Sequence, residues 1–296
     1  MSDCHNKHDN AAKALWLNVI VNFLMVAFEL TFGVIAGSFA LISDSLHNLE
    51  DAGGMVLSLF AHKTAKKARN ERKTYGYKRA GIIAALVNSI VLLVIFVFLG
   101  YEAVMRLLHP EMINGDIIIW VASIAFAGNL IGALFLHGHS HNDLNVKAAF
   151  IHMLSDSMDS AAVVIVGILI GMYRWYFLDA LVTFGIIAYI SYESFKVISS
   201  SINILMEGVP NDINFSQMKE DIESITDVVS FHHVHAWSLD GEEIFMECHL
   251  RVNPMSTKKA DLIRDKATEI LKSKYGISHL NVQIEEEPCY NESLIV

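Results

Sequence analysis

The sequence predicts an α-helical membrane protein with six transmembrane helices, followed by a small cytosolic α+β domain of αββαβ order. Three observations predict it. The 296-residue chain is 53% hydrophobic with a mean hydropathy of +0.39, more apolar than an ordinary soluble domain. Through the first two thirds the apolar residues gather into stretches of ~20 or more, the length that crosses a hydrocarbon core. From Gly208 onward the hydropathy falls, and helical and strand periodicities alternate.

A polar tail over 1–12 precedes spans over 13–36, 39–62, 80–107, 116–136, 146–172 and 176–204. The third, fourth and sixth are clear from hydropathy. The second and fifth read weaker because they carry His and Asp residues. The transmembrane domain then covers 13–207, the cytosolic domain 208–288 and a tail 289–296. The loop Lys63 to Arg79 concentrates Lys and Arg, which places it on the cytoplasmic side. With an even number of spans, both termini and the loop near His137 share that side. Met1 to Asn10 lacks the basic, apolar and cleavage regions of a signal peptide. Cys4, Cys248 and Cys289 all fall in cytoplasmic segments and read as reduced thiols rather than a disulfide framework.

In the last third, Glu207-Gly-Val-Pro210 marks the boundary. Asn214 to Ser224 reads as a helix, and Val228 to Leu239 and Glu243 to Val252 as strands joined by a Leu-Asp-Gly turn. Thr257 to Tyr275 reads as an amphipathic helix and His279 to Glu285 as a closing strand. This order predicts two layers, with the helices on one face of an antiparallel or mixed sheet. From residue 209 the chain has 16 acidic against 8 basic residues, so this part supplies most of the net charge of -10. Such a domain attracts cations and repels nucleic acid.

The chemistry is carried by a repeated pattern: His47-Asn-Leu-Glu-Asp51 in the second span and His152-Met-Leu-Ser-Asp156 in the fifth. Residues four apart share a helix face, about 6 Å apart along the axis. Each pair can therefore converge on one point, and two nitrogens with two oxygens suit a tetrahedral Zn2+. One isolated pair reads equally well as polar groups holding helices together. Two pairs in matched register inside the membrane, at a cost of roughly 2.5–3.5 kcal/mol per ionisable group on insertion scales, point instead to a metal site that offsets the cost. Neutral imidazole binds metal and has an unperturbed pKa of ~6.5, so protons and Zn2+ compete for the same ligands. Asp44, one turn before His47, and Glu50 stand where they could flank the ligands or the access path, and Glu29 in the first span could orient a ligand or simply bond to a neighbouring helix. An acid near a helix start, such as Asp44, is more commonly a cap or dipole partner than a transient ligand. His137, His139 and His141, alternating on a cytoplasmic loop, could collect metal near the entrance.

Nearly the whole chain resembles the cation diffusion facilitators, in particular the zinc exporter branch that includes bacterial zinc, cobalt and cadmium resistance proteins. The matching stretches are Gly37-Ser-Phe-Ala-Leu-Ile-Ser-Asp-Ser-Leu-His-Asn-Leu-Glu-Asp51, Thr74-Tyr-Gly-Tyr77, the His-x-x-x-Asp at His152, Met206-Glu-Gly-Val-Pro210 and His235-Ala-Trp-Ser-Leu239. The resemblance implies a six-helix transporter with a metallochaperone-like cytosolic domain. It would act as a homodimer in the lipid bilayer that exchanges Zn2+ for H+, with Cd2+ and Co2+ as further cargoes and zinc also as a regulatory ligand. Both helices keep His, which favours zinc over oxygen-preferring Mn2+.

The resemblance further implies a cytosolic metal site at His232, His249 and Glu285. Gln283 stands where some relatives have a third His, so Cys4, His5, His8 or Cys289 would complete the set. Arg79 and Glu207 resemble a charge pair linking the third span to the exit of the sixth; snorkelling of Arg79 to the interface is the competing reading. The basic loop lacks the Asp and His residues that hold an additional metal in some relatives. A metalloenzyme needs an open coordination position that four protein ligands do not leave. A channel or a sensor differs from an exchanger by the absence of proton-coupled flux. The short N-terminus and the lack of a long His-rich loop point to a bacterial inner membrane.

Overall fold

The computed structural model describes residues 22–65, 67–137, 144–210, 213–287 and 293–295. His139, His141, Cys4, His5, His8 and Cys289 lie outside the described residues. The chain forms two compact units, 1–60 with 87–197 and 61–86 with 198–296.

The helices are α1 (Asn22–Ala36), α2 (Phe39–Ala65), α3 (Ala80–Leu108), α4 (Gly115–His137), α5 (Leu144–Tyr173) and α6 (Phe177–Leu205). Among the described residues four are long and apolar enough to cross a membrane: α3, α4, α5 from Phe150, and α6. The fifth span, read from sequence as weaker than the sixth, is the more apolar of the two. Its polar residues stop at Ser160, and Ala161 to Tyr173 is unbroken apolar sequence, whereas α6 carries Glu193 and Lys196. At 27 residues α2 is about 40 Å long, but Ser43 to Asp51 is mostly polar, which keeps it below that threshold.

In the first unit, Leu41, Leu92, Phe96, Ile118, Val163, Ile170 and Ile190 form one buried cluster drawn from α2 to α6, with Phe28 and Phe32 of α1 packed against it. The approach of α4 to α5 is set by glycine. A Cβ on Gly115 would stand 2.7 Å from the Gly167 carbonyl oxygen, and one on Gly167 would stand 2.9 Å from Ile118. Only hydrogen fits there, and the contact fixes where the face of α5 that carries His152 and Asp156 lies. Gly37, at φ +70°, ends α1: its N–H bonds to the Val34 carbonyl at 3.2 Å, and the N–H of Ser38 bonds to the Gly33 carbonyl at 3.0 Å. This satisfies the carbonyls at the helix end and reverses the chain into α2 within two residues. At the other hairpin, α5 and α6 are joined by Arg174–Tyr176 alone, and the Tyr173, Trp175 and Phe177 rings succeed one another at centroid spacings of 5.0 and 6.3 Å.

In the second unit, α7 (Phe215–Glu223), β1 (Val228–Ser238), β2 (Ile244–Val252), α8 (Thr257–Tyr275) and β3 (Ile277–Glu285) give the expected order. The sheet is mixed, β1-β2-β3, with β1 antiparallel and β3 parallel to β2; α8 makes the crossover that a parallel pair requires. β3 begins two residues earlier than its alternation suggests, straight after Gly276, which ends α8 in the left-handed region at φ +67°. One sheet face supplies Phe231, Val234, Ala236, Met246, Cys248 and Leu250 to a core completed by Met218 and Ile222 of α7 and Ile263, Ala267 and Leu271 of α8.

The β1–β2 register slips between His232 and His235, and His233 sits at φ +52°, so β1 carries a bulge there. The carbonyls of Ser293 and Leu294 accept from the N–H groups of His233 and Val234 at 3.1 and 2.9 Å along the outer edge of β1, and Leu294 packs on the core. Also within this unit, the Tyr75 ring stands edge-on to Phe245 at 5.4 Å, and Lys78 pairs with Glu243 and Asp240 of the β1–β2 turn. Arg79 Nη2 lies 2.8 Å from Glu207 Oε1.

Candidate metal centre

Helical spacing puts His47 and Asp51 on one face of α2 and His152 and Asp156 on one face of α5, and helix packing turns the two faces toward each other. His47 Nε2 lies 3.8 Å from Asp51 Oδ2 and 3.8 Å from Asp156 Oδ1. His152 Nε2 lies 3.3 Å from Asp51 Oδ2 and 3.7 Å from Asp156 Oδ2. Each imidazole therefore faces both carboxylates. A tetrahedral zinc with bonds of ~2.0–2.1 Å separates its ligand atoms by about 3.3 Å; ligand atoms of His47, Asp51 and Asp156 already lie within 4.8 Å of one another, whereas His152 stands outside that trio and must draw in to complete a four-ligand set. The two rings stand nearly perpendicular, with centroids 6.4 Å apart. Asp156 is buried and the His47 side chain is 13% exposed against 50% for His152, so the group is open on the His152 side.

The neighbouring polar residues divide into those that touch the quartet and those that do not. Glu50 Oε2 lies 3.9 Å from His47 Nδ1, beyond hydrogen-bond reach, and among the described residues the buried Nδ1 has no hydrogen-bond partner. Asp44 is buried and accepts from Ser160 Oγ of α5 at 3.4 Å, a second polar tie between the two ligand-bearing helices. Glu29 accepts from Asn48 Nδ2 at 3.0 Å, so α1 holds the residue next to His47. His137 ends α4 with its ring 5.3 Å from that of Phe150, and among the described residues it belongs to neither group that can hold a metal ion.

A second group is built by strand register. His232 pairs across from His249, and His249 across from Gln283, so that β1, β2 and β3 present a row of side chains on the sheet face opposite the helices. His249 Nδ1 lies 2.7 Å and His232 Nε2 3.4 Å from the two oxygens of Glu285. Gln283 Nε2 donates to Glu285 Oε1 at 2.8 Å and so orients that carboxylate. Ser230 Oγ lies 3.1 Å from His232 Nδ1. Burial pushes the His249 imidazole below its ordinary value; His233 and His232 push the same way while Glu285 opposes them. The downward direction favours the neutral ring, the form that ligates metal. Its neighbour Cys248 points into the core, where burial pushes the thiol up to about 12 and leaves it protonated. Sequence reasoning missed His233, whose ring stacks on His249 at 4.3 Å and 7°; only the bulge brings it there.

Among the described residues, two groups of three or more side chains can hold a metal ion: His47, Asp51 and Asp156, beside which His152 stands, and His232, His249 and Glu285. Residues 15–206 match the cation efflux transmembrane domain, and residues 210–287 match the cytoplasmic domain of cation efflux proteins. The chain is 30% identical over 299 residues to a cadmium, cobalt and zinc/H(+)-K(+) antiporter of Bacillus subtilis, covering 99% of this chain and 95% of that protein. It is 31% identical over 287 residues to the zinc transporter ZitB of Pectobacterium atrosepticum, covering 96% and 88%. Against the human probable proton-coupled zinc antiporter SLC30A4 it is 29% identical over 298 residues, covering 92% of this chain and 70% of that one.

Proposed function

We propose, from the premise that the chain belongs to the cation efflux family, that it exports Zn2+ from the cytoplasm in exchange for protons through the quartet His47, Asp51, His152 and Asp156. It is an integral membrane transporter and not an enzyme. The observation that carries the finer reading is that each imidazole stands 3.3–3.8 Å from both carboxylates across two helices.

Zinc loads on neutral imidazoles from the cytoplasmic side and two carboxylates balance its charge. Alternating exposure of the quartet then releases the ion outside, where protons take the vacated ligands and are carried back. Proton and metal compete for the same atoms, so the inward proton gradient drives export. Cd2+ and Co2+, named for the Bacillus relative, are the expected further cargoes. The basic loop 63–79 marks the cytoplasmic side. The protein acts as a homodimer through its cytosolic domain, with His232, His249 and Glu285 as a regulatory zinc site whose occupancy reports cytoplasmic zinc. The Arg79–Glu207 pair serves as a pivot between the end of α6 and the start of α3.

Zinc flux into proteoliposomes tests this reading. Flux that rises with an imposed pH gradient, and is lost in His47→Ala, is the expected result. Flux indifferent to the gradient would convert the exchanger into a channel, and unchanged flux in the variant would remove the quartet.

A further inference from the structure

The start of α2 is buried, with Ser38, Ala40 and Leu41 closed to solvent, so its first N–H groups need partners within the protein. Ser38 is the N-cap: its carbonyl accepts from Ile42 N at 3.2 Å and its hydroxyl from Leu41 N at 3.2 Å. That leaves Phe39 and Ala40. Both donate to the carboxylate of Asp179, in the first turn of α6, at 2.8 and 3.4 Å, and the Ser38 hydroxyl donates to it as well. Asp179 and Ser38 are fully buried. The same turn is gripped from two more helices: Arg106 at the end of α3 donates to the Gly37 carbonyl, and Asn114 N, at the start of α4, donates to the Ala36 carbonyl at 3.1 Å.

We infer that Asp179 is a positioning residue for transport: by completing the N-cap of α2 from a different helix, it fixes the rotation and height at which α2 presents His47 and Asp51 to α5. The inference rests on the quartet being the transport site. His47 is eight residues from Phe39, about 12 Å along the axis. At a side-chain radius of ~5–6 Å, a 20° rotation of α2 would move the ligand atoms by about 2 Å, as much as a whole metal–ligand bond. A carboxylate is required because three donors converge on two acceptor oxygens. An amide would turn its NH2 toward at least one of them.

The test is zinc uptake into proteoliposomes by wild type, Asp179→Asn, Ser38→Ala and His47→Ala, with the amount of folded transporter measured by size-exclusion chromatography. Asp179→Asn is expected to raise the KM for Zn2+ by about tenfold, at the low end of the ~10–100-fold that outer ligand-supporting residues contribute, while kcat per folded transporter stays within twofold. Ser38→Ala, which removes a single donor and the cap of Leu41, shifts KM in the same direction by less and serves where Asp179→Asn does not fold. A lower yield of folded protein with unchanged KM would make Asp179 a merely structural residue and overturn the inference. If wild type moves no zinc, or His47→Ala transports like wild type, the quartet reading falls and takes the inference with it. If those two behave as expected and neither variant shifts KM, the inference alone fails.

Discussion

The two His–carboxylate groups are made from the same ligand chemistry by opposite means. The quartet is drawn from two helices that share no hydrogen bond between backbones, and its nitrogen–oxygen spacings are 3.3–3.8 Å. The sheet group is drawn from adjacent strands locked in register by their ladders, and it already closes to 2.7 Å between His249 and Glu285. Helix faces can rotate or tilt against one another at modest cost, whereas a strand cannot slip by one residue without sending every side chain to the wrong face. A site that must load and release its ion belongs on the first kind of scaffold, and one that holds an ion to report its concentration belongs on the second.

The largest expected effect breaks the first member of the pair. Asp156→Ala removes the buried carboxylate that both imidazoles face, and zinc transport should fall by more than the ~10–100-fold typical of residues that only support a ligand. Transport within threefold of wild type in a zinc-65 uptake assay would show that the helices do not need to close on the ion. Next in size is Gly115→Ala, which alters no polar group but forces α4 away from α5. Overpacking of this kind costs about 1–3 kcal/mol. The melting temperature of the detergent-solubilised protein and its zinc KM should both worsen, and an unchanged KM would separate α5 placement from metal affinity.

A smaller effect on transport, but a clear one on binding, follows from Glu285→Gln. The full-length protein should lose zinc at the sheet group, measured as bound metal per chain after gel filtration, while uptake at saturating zinc continues. Loss of uptake equal to that of Asp156→Ala would erase the distinction between the two sites. The smallest effect is Cys248→Ala. Strand alternation sends Cys248 to the core and His249 to the open face, so zinc content should not change, and mass mapping after maleimide treatment should find Cys248 unlabelled in the folded wild type. Labelling of Cys248 would mean that the strand does not hold its register.

The contrast also explains what could be read in advance. The helical pairs were legible because i, i+4 spacing is a property of one segment, and the αββαβ order because helix and strand periods differ. The parallel pairing of β2 with β3 was only half legible, since periodicity gives strands but not their partners. Asp179 was passed over because its role exists only where α6 meets the start of α2, and no local pattern marks a cap supplied from 140 residues away. His233 was missed because a bulge, not alternation, turns it toward His249. The Gly115–Gly167 contact is likewise a pair property: each glycine alone reads as a weak point in a helix.

The three-residue connection between α5 and α6 limits how far α5 can move relative to α6. Arg174 to Tyr176 can span only about 10 Å when fully drawn out, and the Tyr173, Trp175 and Phe177 rings succeed one another along it, Tyr and Trp being the ring types that favour a membrane interface. With that end on so short a leash, α5 cannot slide far along α6. Motion of α5 relative to α6 is then a swing about this end, largest at Leu144 and still about six to seven tenths as large at Asp156 and His152, which lie about 25 and 31 Å from Tyr173.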